Sequence, residues 1–531
     1  MHPHAILICS TIILYLTEIT LSQLLLVDPD SLRNVSELIS SKGYPVEDHN
    51  VITKDGYVLA IQRIPRGRGQ NANELPSSKM PVLFHHGFLG AASDYVINFP
   101  HQSLGFILAD AGYDVWLGNF RGNTYSSHIN LSRDAREFWD FSADEMASED
   151  LPSTIDTVLK ITGKEKLQYI GWSQGVLIMF ALLSEKPEYN KKISLFSAMA
   201  PAVYLGHFHA PLVLLVPFAE LIRVSMGVSS CVNGPLLTTN PTRTKAANGV
   251  CGNNIGNEIC TAIFAYLTGL DSNQLNKSRL SVYFSHAPAG TSINDALHLA
   301  QLVRCNCFEK FDYGITKNIA KYGKVIPPGY MLSRAEVPVA IYWSKGDWLA
   351  TEEDVAHLRK ELTNVVEYYQ VPEEQFTHFD FGWGINAEPI LYRKMMSIKK
   401  QNSYEPTQLD NTYIKDKILA KVSPYEMCFT IDCNQETTHF KIKKLYHPNN
   451  VLQSDGSELI SSKGYLFEEH EVTTSDGYVI GIQRIPRGKN EGPDVPLSKK
   501  TTILLQHGML GASHDYVLNF PNQSLGKFFR H

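Results

Sequence analysis

A serine set between two glycines, Gly171-Trp172-Ser173-Gln174-Gly175, is where residue type and spacing in this chain first suggest chemistry. An apolar run with strand character, Leu167-Gln168-Tyr169-Ile170, precedes it, and a run with helix character from Val176 to Ser184 follows. G-x-S-x-G alone arises by chance; between a strand and a helix it predicts a nucleophile on a sharp turn. At that turn a Cβ on Gly171 or Gly175 would collide with the neighbouring strand or helix. The strain lifts Ser173 Oγ into a cleft, and the N-terminus of the next helix favours negative charge developing there. The bland alternative is an ordinary strand–turn–helix connection.

A serine hydroxyl is a poor nucleophile at neutral pH. It needs an imidazole to take its proton and a carboxylate to stabilise the imidazolium. For a serine in this setting the chain order is Ser, acid, His. Val339 to Trp343 reads as a strand running into a loop with Asp347 at its tip, followed by the apolar anchor Trp348-Leu349-Ala350. Val366 to Val371 reads as another strand, leading to Phe376-Thr377-His378-Phe379-Asp380. Asp347 and His378 are therefore the expected partners. Asp380 and Asp354 compete for the acid role; His357 and the pair His85/His86 compete for the base role. His357 lies in a charged helical run and reads as solvated. The developing oxyanion needs backbone N–H donors from an early strand-to-helix loop. Val82 to Gly90 fits, with Phe88 and Gln174 as the donor pair. His86 reads as a prop for that loop rather than a catalytic group.

With these residues in place, the chain resembles the acid lipase family of gastric, lysosomal and insect enzymes. The resemblance is carried by Gly43-Tyr44, Asp55-Gly56-Tyr57 and His86-Gly87-Phe88-Leu89-Gly90. It continues through the segment from Leu108 to Thr124, Asp150-Leu151-Pro152, the Gly171–Gly175 turn, Ala289-Gly290-Thr291-Ser292, Asp347-Trp348-Leu349-Ala350 and His378-Phe379-Asp380-Phe381. It covers about residues 30–400 and implies an α/β-hydrolase fold with an inserted helical cap. By resemblance Ser173, Asp347 and His378 match the triad and Phe88 and Gln174 the oxyanion donors. Cys251 and Cys260 match the spacing of the family's disulfide. The substrates implied are neutral lipid esters, and no metal or organic cofactor is implied. Three departures stand out. Trp172 replaces the usual His after the first glycine of the turn. Phe88 stands where Leu is common. Thr268 stands where gastric lipase has a free thiol.

Composition suits a large globular enzyme, with 44% hydrophobic and 19% charged residues among 531. A net charge of −6 argues against nucleic acid as a partner. Residues 1–25 read as a signal peptide: an apolar run from Ala5 to Leu16 is too soon interrupted by Glu18 for a membrane span. Asn34, Asn130 and Asn276 open N-x-S glycosylation tripeptides, which agrees with a secreted or lysosomal location. Cys305 and Cys307 sit too close for an ordinary disulfide, and their state is open, as is that of Cys231. No Cys/His spacing of a zinc site is present.

Ser173 and Asp347 are 174 positions apart (347 − 173), more than a bare hydrolase core requires. Residues 204–330 therefore read as the cap. Its apolar run from Pro211 to Phe218 reads as lid or lipid-binding surface, or simply as cap core.

The chain also repeats itself. Ser36–Tyr44 recurs as Ser457–Tyr465, His86-Gly87 as His507-Gly508 and Gln102–Gly105 as Gln523–Gly526, at a constant offset of 421 (507 − 86). That period is a whole lipase, so the repeat reads as the start of a second copy over residues 451–531, without a nucleophile turn, acid loop or triad histidine. A truncated or mispredicted tandem gene, a regulatory appendage, and a fragment completing a neighbour's sheet all fit it, the first best. Residues 401–450 read as a linker in which Cys428 and Cys433 could close a small loop. The reading that results is a serine lipase acting at a lipid interface, with no transmembrane span. The alternative is a catalytically dead lipid-binding or carrier protein.

Overall fold

The structure is a computed structural model describing residues 27–70, 79–209, 211, 234–252, 254–268, 273–401, 468–473 and 479–485. The expected signal peptide, most of the Pro211–Phe218 run, Cys231, nearly all of the linker and the second His-Gly pair lie outside the described residues. The chain divides into two compact units, Met1–Glu405 and Pro406–His531.

The first unit is built on a nine-stranded sheet. Its strands are β1 (Glu47–Ile52), β2 (Tyr57–Ile64), β3 (Pro81–His85), β4 (Asp114–Gly118), β5 (Ser126–His128), β6 (Leu167–Trp172), β7 (Ile193–Met199), β10 (Val339–Trp343) and β11 (Val365–Gln370), with the short pair β8 (Pro235–Leu236) and β9 (Thr291–Ser292) lying apart from it. The order is β1-β2-β4-β3-β6-β7-β10-β11, with β5 beside β2. From β4 to β11 every pairing is parallel; β1, β2 and β5 add an antiparallel end.

Burial follows position. Every residue of β3, β4, β6 and β10 is buried, as their apolar runs require of strands covered on both faces. The edge strands β1 and β11 are only partly buried, and charged residues such as Glu47, Asp48 and Glu367 keep those edges from pairing further. After β3 the chain adds β4 on one side, then returns to add β6 on the other. That reversal opens a crevice at the carboxyl ends of β3 and β6, where open α/β sheets bind ligands.

The helices are α1 (Val35–Ser41), α2 (Leu104–Asp110), α3 (Leu151–Thr162), α4 (Gln174–Glu185), α5 (Pro241–Cys251), α6 (Asn254–Thr268), α7 (Leu280–His286), α8 (Ile293–Cys305), α9 (Ile315–Tyr322), α10 (Glu352–Glu361) and α11 (Arg393–Gln401). Helices α5 to α9 fall within the expected cap. From Gln174 to Ser184 every residue of α4 is buried, so the helix after the nucleophile turn runs through the core. In the second unit β12 (Glu468–Thr473) and β13 (Val479–Arg484) form an antiparallel hairpin. Among the described residues no helix is long and apolar enough to cross a membrane.

Candidate active site

Ser173 stands at the carboxyl end of β6 with φ 56° and ψ −117°, a conformation side chains rarely adopt. Neighbouring backbone holds it there: its N–H donates to the Met199 carbonyl at 2.9 Å, and its carbonyl accepts from the Val176 N–H at 2.9 Å. The flanking glycines are sterically required. A Cβ on Gly171 would lie 2.9 Å from the Gly175 carbonyl, and one on Gly175 would lie 2.6 Å from the His85 oxygen. The second clash couples the turn to β3. Gly87, just past β3, is where a Cβ would come within 3.0 Å of Ser173 Cβ, so the loop after β3 lies directly against the serine.

Asp347 and His378 meet across the loops that follow β10 and β11. His378 Nδ1 is 2.8 Å from Asp347 Oδ2 and 3.1 Å from Oδ1. The Leu349 and Ala350 N–H groups each donate to Asp347 Oδ1 at 2.9 Å, which fixes the carboxylate. The pair places the imidazole proton on Nδ1 and leaves Nε2 free to accept one. His378, Asp347 and Ser173 are all buried. The ring of Trp172, the residue before the serine, has its centroid 6.0 Å from that of His378. The other candidates are engaged elsewhere. Asp380 Oδ2 accepts from the Thr377 N–H and hydroxyl. Asp354 holds His207 at 2.7 Å. His357 is half-buried, stacked on Tyr204 at 4.0 Å, and faces Glu361. His85 is buried between the rings of Phe120 and Tyr169.

The loop after β3 turns tightly: the Gly90 N–H donates to the Gly87 carbonyl at 3.0 Å, and Leu89 takes φ 60°. Half-buried Phe88 lies within this turn. His86 supports it from beneath. The Phe120 N–H donates to His86 Nε2 at 3.2 Å, so Nδ1 bears the proton and donates to the Gly87 carbonyl at 2.9 Å. Burial pushes the His86 imidazole down to about 4, which keeps it neutral in this role. Gln174 is the first residue of α4, where a backbone N–H has no intrahelical acceptor. The arrangement offers a strained serine, an imidazole oriented by a carboxylate, and N–H groups of the Phe88 turn and the α4 N-terminus beside the serine. Those are the parts for transferring an acyl group to the serine and then to water.

Trp172, the departure from the family pattern, belongs to an aromatic layer behind the site. A Cβ on Gly382 would come within 2.7 Å of its ring, and Phe379 and Trp383 lie at 6.1 and 6.0 Å.

Buried polar contacts join segments whose pairing the sequence does not display. Arg121 is buried, with its guanidinium bonded to Asp150 at 2.7 Å and Asp55 at 2.7 Å; it ties three of the family segments together. Asn123 donates to His86 Nε2 at 3.3 Å and to Asn119 Oδ1 at 2.8 Å. Asp295 accepts from the Gln174 side chain. A buried Arg set between two Asp segments was the one available signal, and their spacing along the chain hid it.

Cys251 and Cys260 are bonded, with S–S 2.02 Å and Cα atoms 5.8 Å apart. Cys305 and Cys307, left open by the sequence, are bonded as well. Asn34 and Asn130 are exposed; Asn276 is half-buried and hydrogen-bonded to its own Ser278.

Comparison with known proteins identifies the family. The family described as "Partial alpha/beta-hydrolase lipase region" matches twice, at residues 35–99 and 456–520, and "alpha/beta hydrolase fold" matches residues 80–217. Lipase member M of Mus musculus is 41% identical over 71% of this chain and 88% of its own length. Gastric triacylglycerol lipase of Bos taurus is 40% identical over 71% of this chain and 93% of its own. Lysosomal acid lipase/cholesteryl ester hydrolase of Homo sapiens is 40% identical over 71% and 92%. The chain belongs to the acid lipase family; it has the α/β-hydrolase fold and is an ester hydrolase of the lipase type.

Proposed function

We propose that this member of the acid lipase family hydrolyses neutral lipid esters, triacylglycerol or sterol ester, through an acyl-enzyme on Ser173. The observation that carries the reading is the Asp347–His378 pair at 2.8 Å, with the His378 ring 6.0 Å from that of Trp172, whose neighbour Ser173 is held at φ 56°. His378 Nε2 takes the proton of Ser173 Oγ as the oxygen attacks the ester carbonyl, and Asp347 stabilises the imidazolium. The oxyanion is held by the N–H groups of Phe88 and Gln174. His378 then protonates the departing alcohol. It next activates a water that releases the fatty acid and restores the serine.

The lipid part of the proposal rests on the names of the relatives and on the cap surface. Ile259, Ile263 and Tyr266 are exposed at a spacing that puts them on one face of α6, while Cys260 and Phe264 are buried. Such an apolar stripe suits peripheral contact with a lipid interface. A secreted or lysosomal location is supported by the Cys251–Cys260 disulfide and by the exposed Asn34 and Asn130, proposed here as glycosylated.

The test is labelling with a serine-reactive fluorophosphonate together with ester hydrolysis. The natural protein should label and hydrolyse, and Ser173→Ala should do neither, with a rate loss on the order of 10⁴-fold or more. A folded protein that neither labels nor hydrolyses would be a carrier rather than an enzyme.

A further inference from the structure

The cap segment Ala289–Asp295 reaches both sides of the oxyanion site. At one end the Ala289 N–H donates to the Leu89 carbonyl at 2.6 Å, immediately after Phe88. At the other end Asp295 Oδ1 accepts from Gln174 Nε2 at 2.6 Å, with both side chains buried. Between them the chain is held tightly. Thr291 Oγ1 donates to Asp295 Oδ2 at 2.8 Å, and the Asp295 N–H donates to Ser292 Oγ at 3.0 Å. Thr124 Oγ1 donates to the Ala289 carbonyl at 3.0 Å. Gly290 sits at φ 102°, where a Cβ would approach Thr238 to 2.9 Å. The segment is anchored at its back too: the Ile293 N–H donates to Gly234 at 3.1 Å, and Asn306, just past α8, accepts from the Gly206 N–H at 3.0 Å.

We propose that the Ala289–Asp295 segment is a clamp that sets the spacing of the oxyanion donors, with Asp295 as the positioning residue for Gln174. The argument is geometric. The Phe88 N–H is carried by a turn containing a residue at φ 60°, and the Gln174 N–H by the first residue of a helix. One cap segment bonds to both, which adds a second tie between the donors to the pairing of β3 with β6. Stabilisation of an oxyanion depends on donors already in place when charge develops. Asp295 touches no reacting atom; it acts through the Gln174 side chain. The inference rests on the serine mechanism proposed above, and the test separates the two.

The test exchanges the polarity of the Gln174–Asp295 hydrogen bond and follows hydrolysis of a short p-nitrophenyl ester. Gln174→Glu sets two carboxyl groups together and should lower kcat on the order of tenfold or more with KM little changed. Asp295→Asn still offers an acceptor oxygen to Gln174 and should stay near the natural kcat. The double variant Gln174→Glu/Asp295→Asn restores a donor–acceptor pair in the reverse sense and should recover most of the lost kcat. Asp295→Leu should behave like Gln174→Glu. A double variant no better than Gln174→Glu alone overturns the clamp, as does folded Asp295→Leu with natural kcat. Ser173→Ala, run alongside, isolates the other reading: if it keeps full activity, the serine mechanism has failed rather than the clamp.

Discussion

The hairpin β1–β2 and the hairpin β12–β13 are the same structure in two settings. Glu47 pairs with Arg63 and Ile52 with Val58; 421 residues later Glu468 pairs with Arg484 and Thr473 with Val479 (468 − 47). Even the ion pair across the open end recurs, at 2.9 Å in both. What surrounds them differs. In the first unit β2 also pairs with β4 and β5, and Arg63 reaches Asp114, which is buried, while stacking on Trp116 at 4.9 Å. In the second unit no other strand is present among the described residues, and the Arg484 side chain is 48% exposed where that of Arg63 is 9% exposed. Local sequence therefore specifies strands and register. It does not supply the buried partners that make the first hairpin an edge of a catalytic sheet.

The largest effect that can break this comparison is at Arg63. Arg63→Ala leaves the Asp114 carboxylate buried without its guanidinium, which should cost about 3–5 kcal/mol in urea unfolding. A loss as small as that of an exposed pair would mean that the setting does not matter and that the two hairpins are energetically alike.

A middle-sized effect concerns Asp30, whose counterpart at the same offset is Val451. Burial alone would raise the Asp30 carboxyl, but hydrogen bonds from Lys42, Arg33 and Arg279 outweigh it and hold it down to about 2. Its folded value lies below the unfolded value of about 3.9, so its stabilisation is present above about pH 4 and disappears as pH falls toward 2. Asp30→Asn should flatten the dependence of Tm on pH across that window. An unchanged slope would show that the Arg279 tie does not distinguish the first unit.

The smallest effect is at Arg484. Arg484→Ala should cost about 0.5 kcal/mol or less, and truncation after Glu405 should leave ester hydrolysis within about twofold. A large loss in either experiment would give the second unit a buried partner or a part in the reaction, and the contrast would have to be redrawn.

Much of the site was legible because each part is local. The glycines around Ser173 report a turn that excludes Cβ atoms, and Asp347 and His378 follow strands whose apolar runs stand out. The repeat was legible for the same reason. The clamp was not: Ala289-Gly290-Thr291-Ser292 was visible as a motif, but Gln174 and Asp295 are 121 residues apart and nothing local pairs them. The Arg121 and Arg279 networks were hidden likewise, with partners 29 and 249 residues away.

The amino-acid sequence by itself determined the strands, their register within hairpins, the strained turn at Ser173 and the chain order of Ser173, Asp347 and His378. Short-range sterics and hydrophobic period act among neighbours, and neighbours are what a sequence displays. Tertiary structure alone decided which of the candidate aspartates faces His378, that Asp354 and Asp380 are occupied elsewhere, that burial keeps His86 neutral, and that one cap segment bonds both to Leu89 and to Gln174. These outcomes depend on which buried polar groups find one another once the sheet has closed. A buried donor or acceptor must be paired wherever in the chain its partner lies.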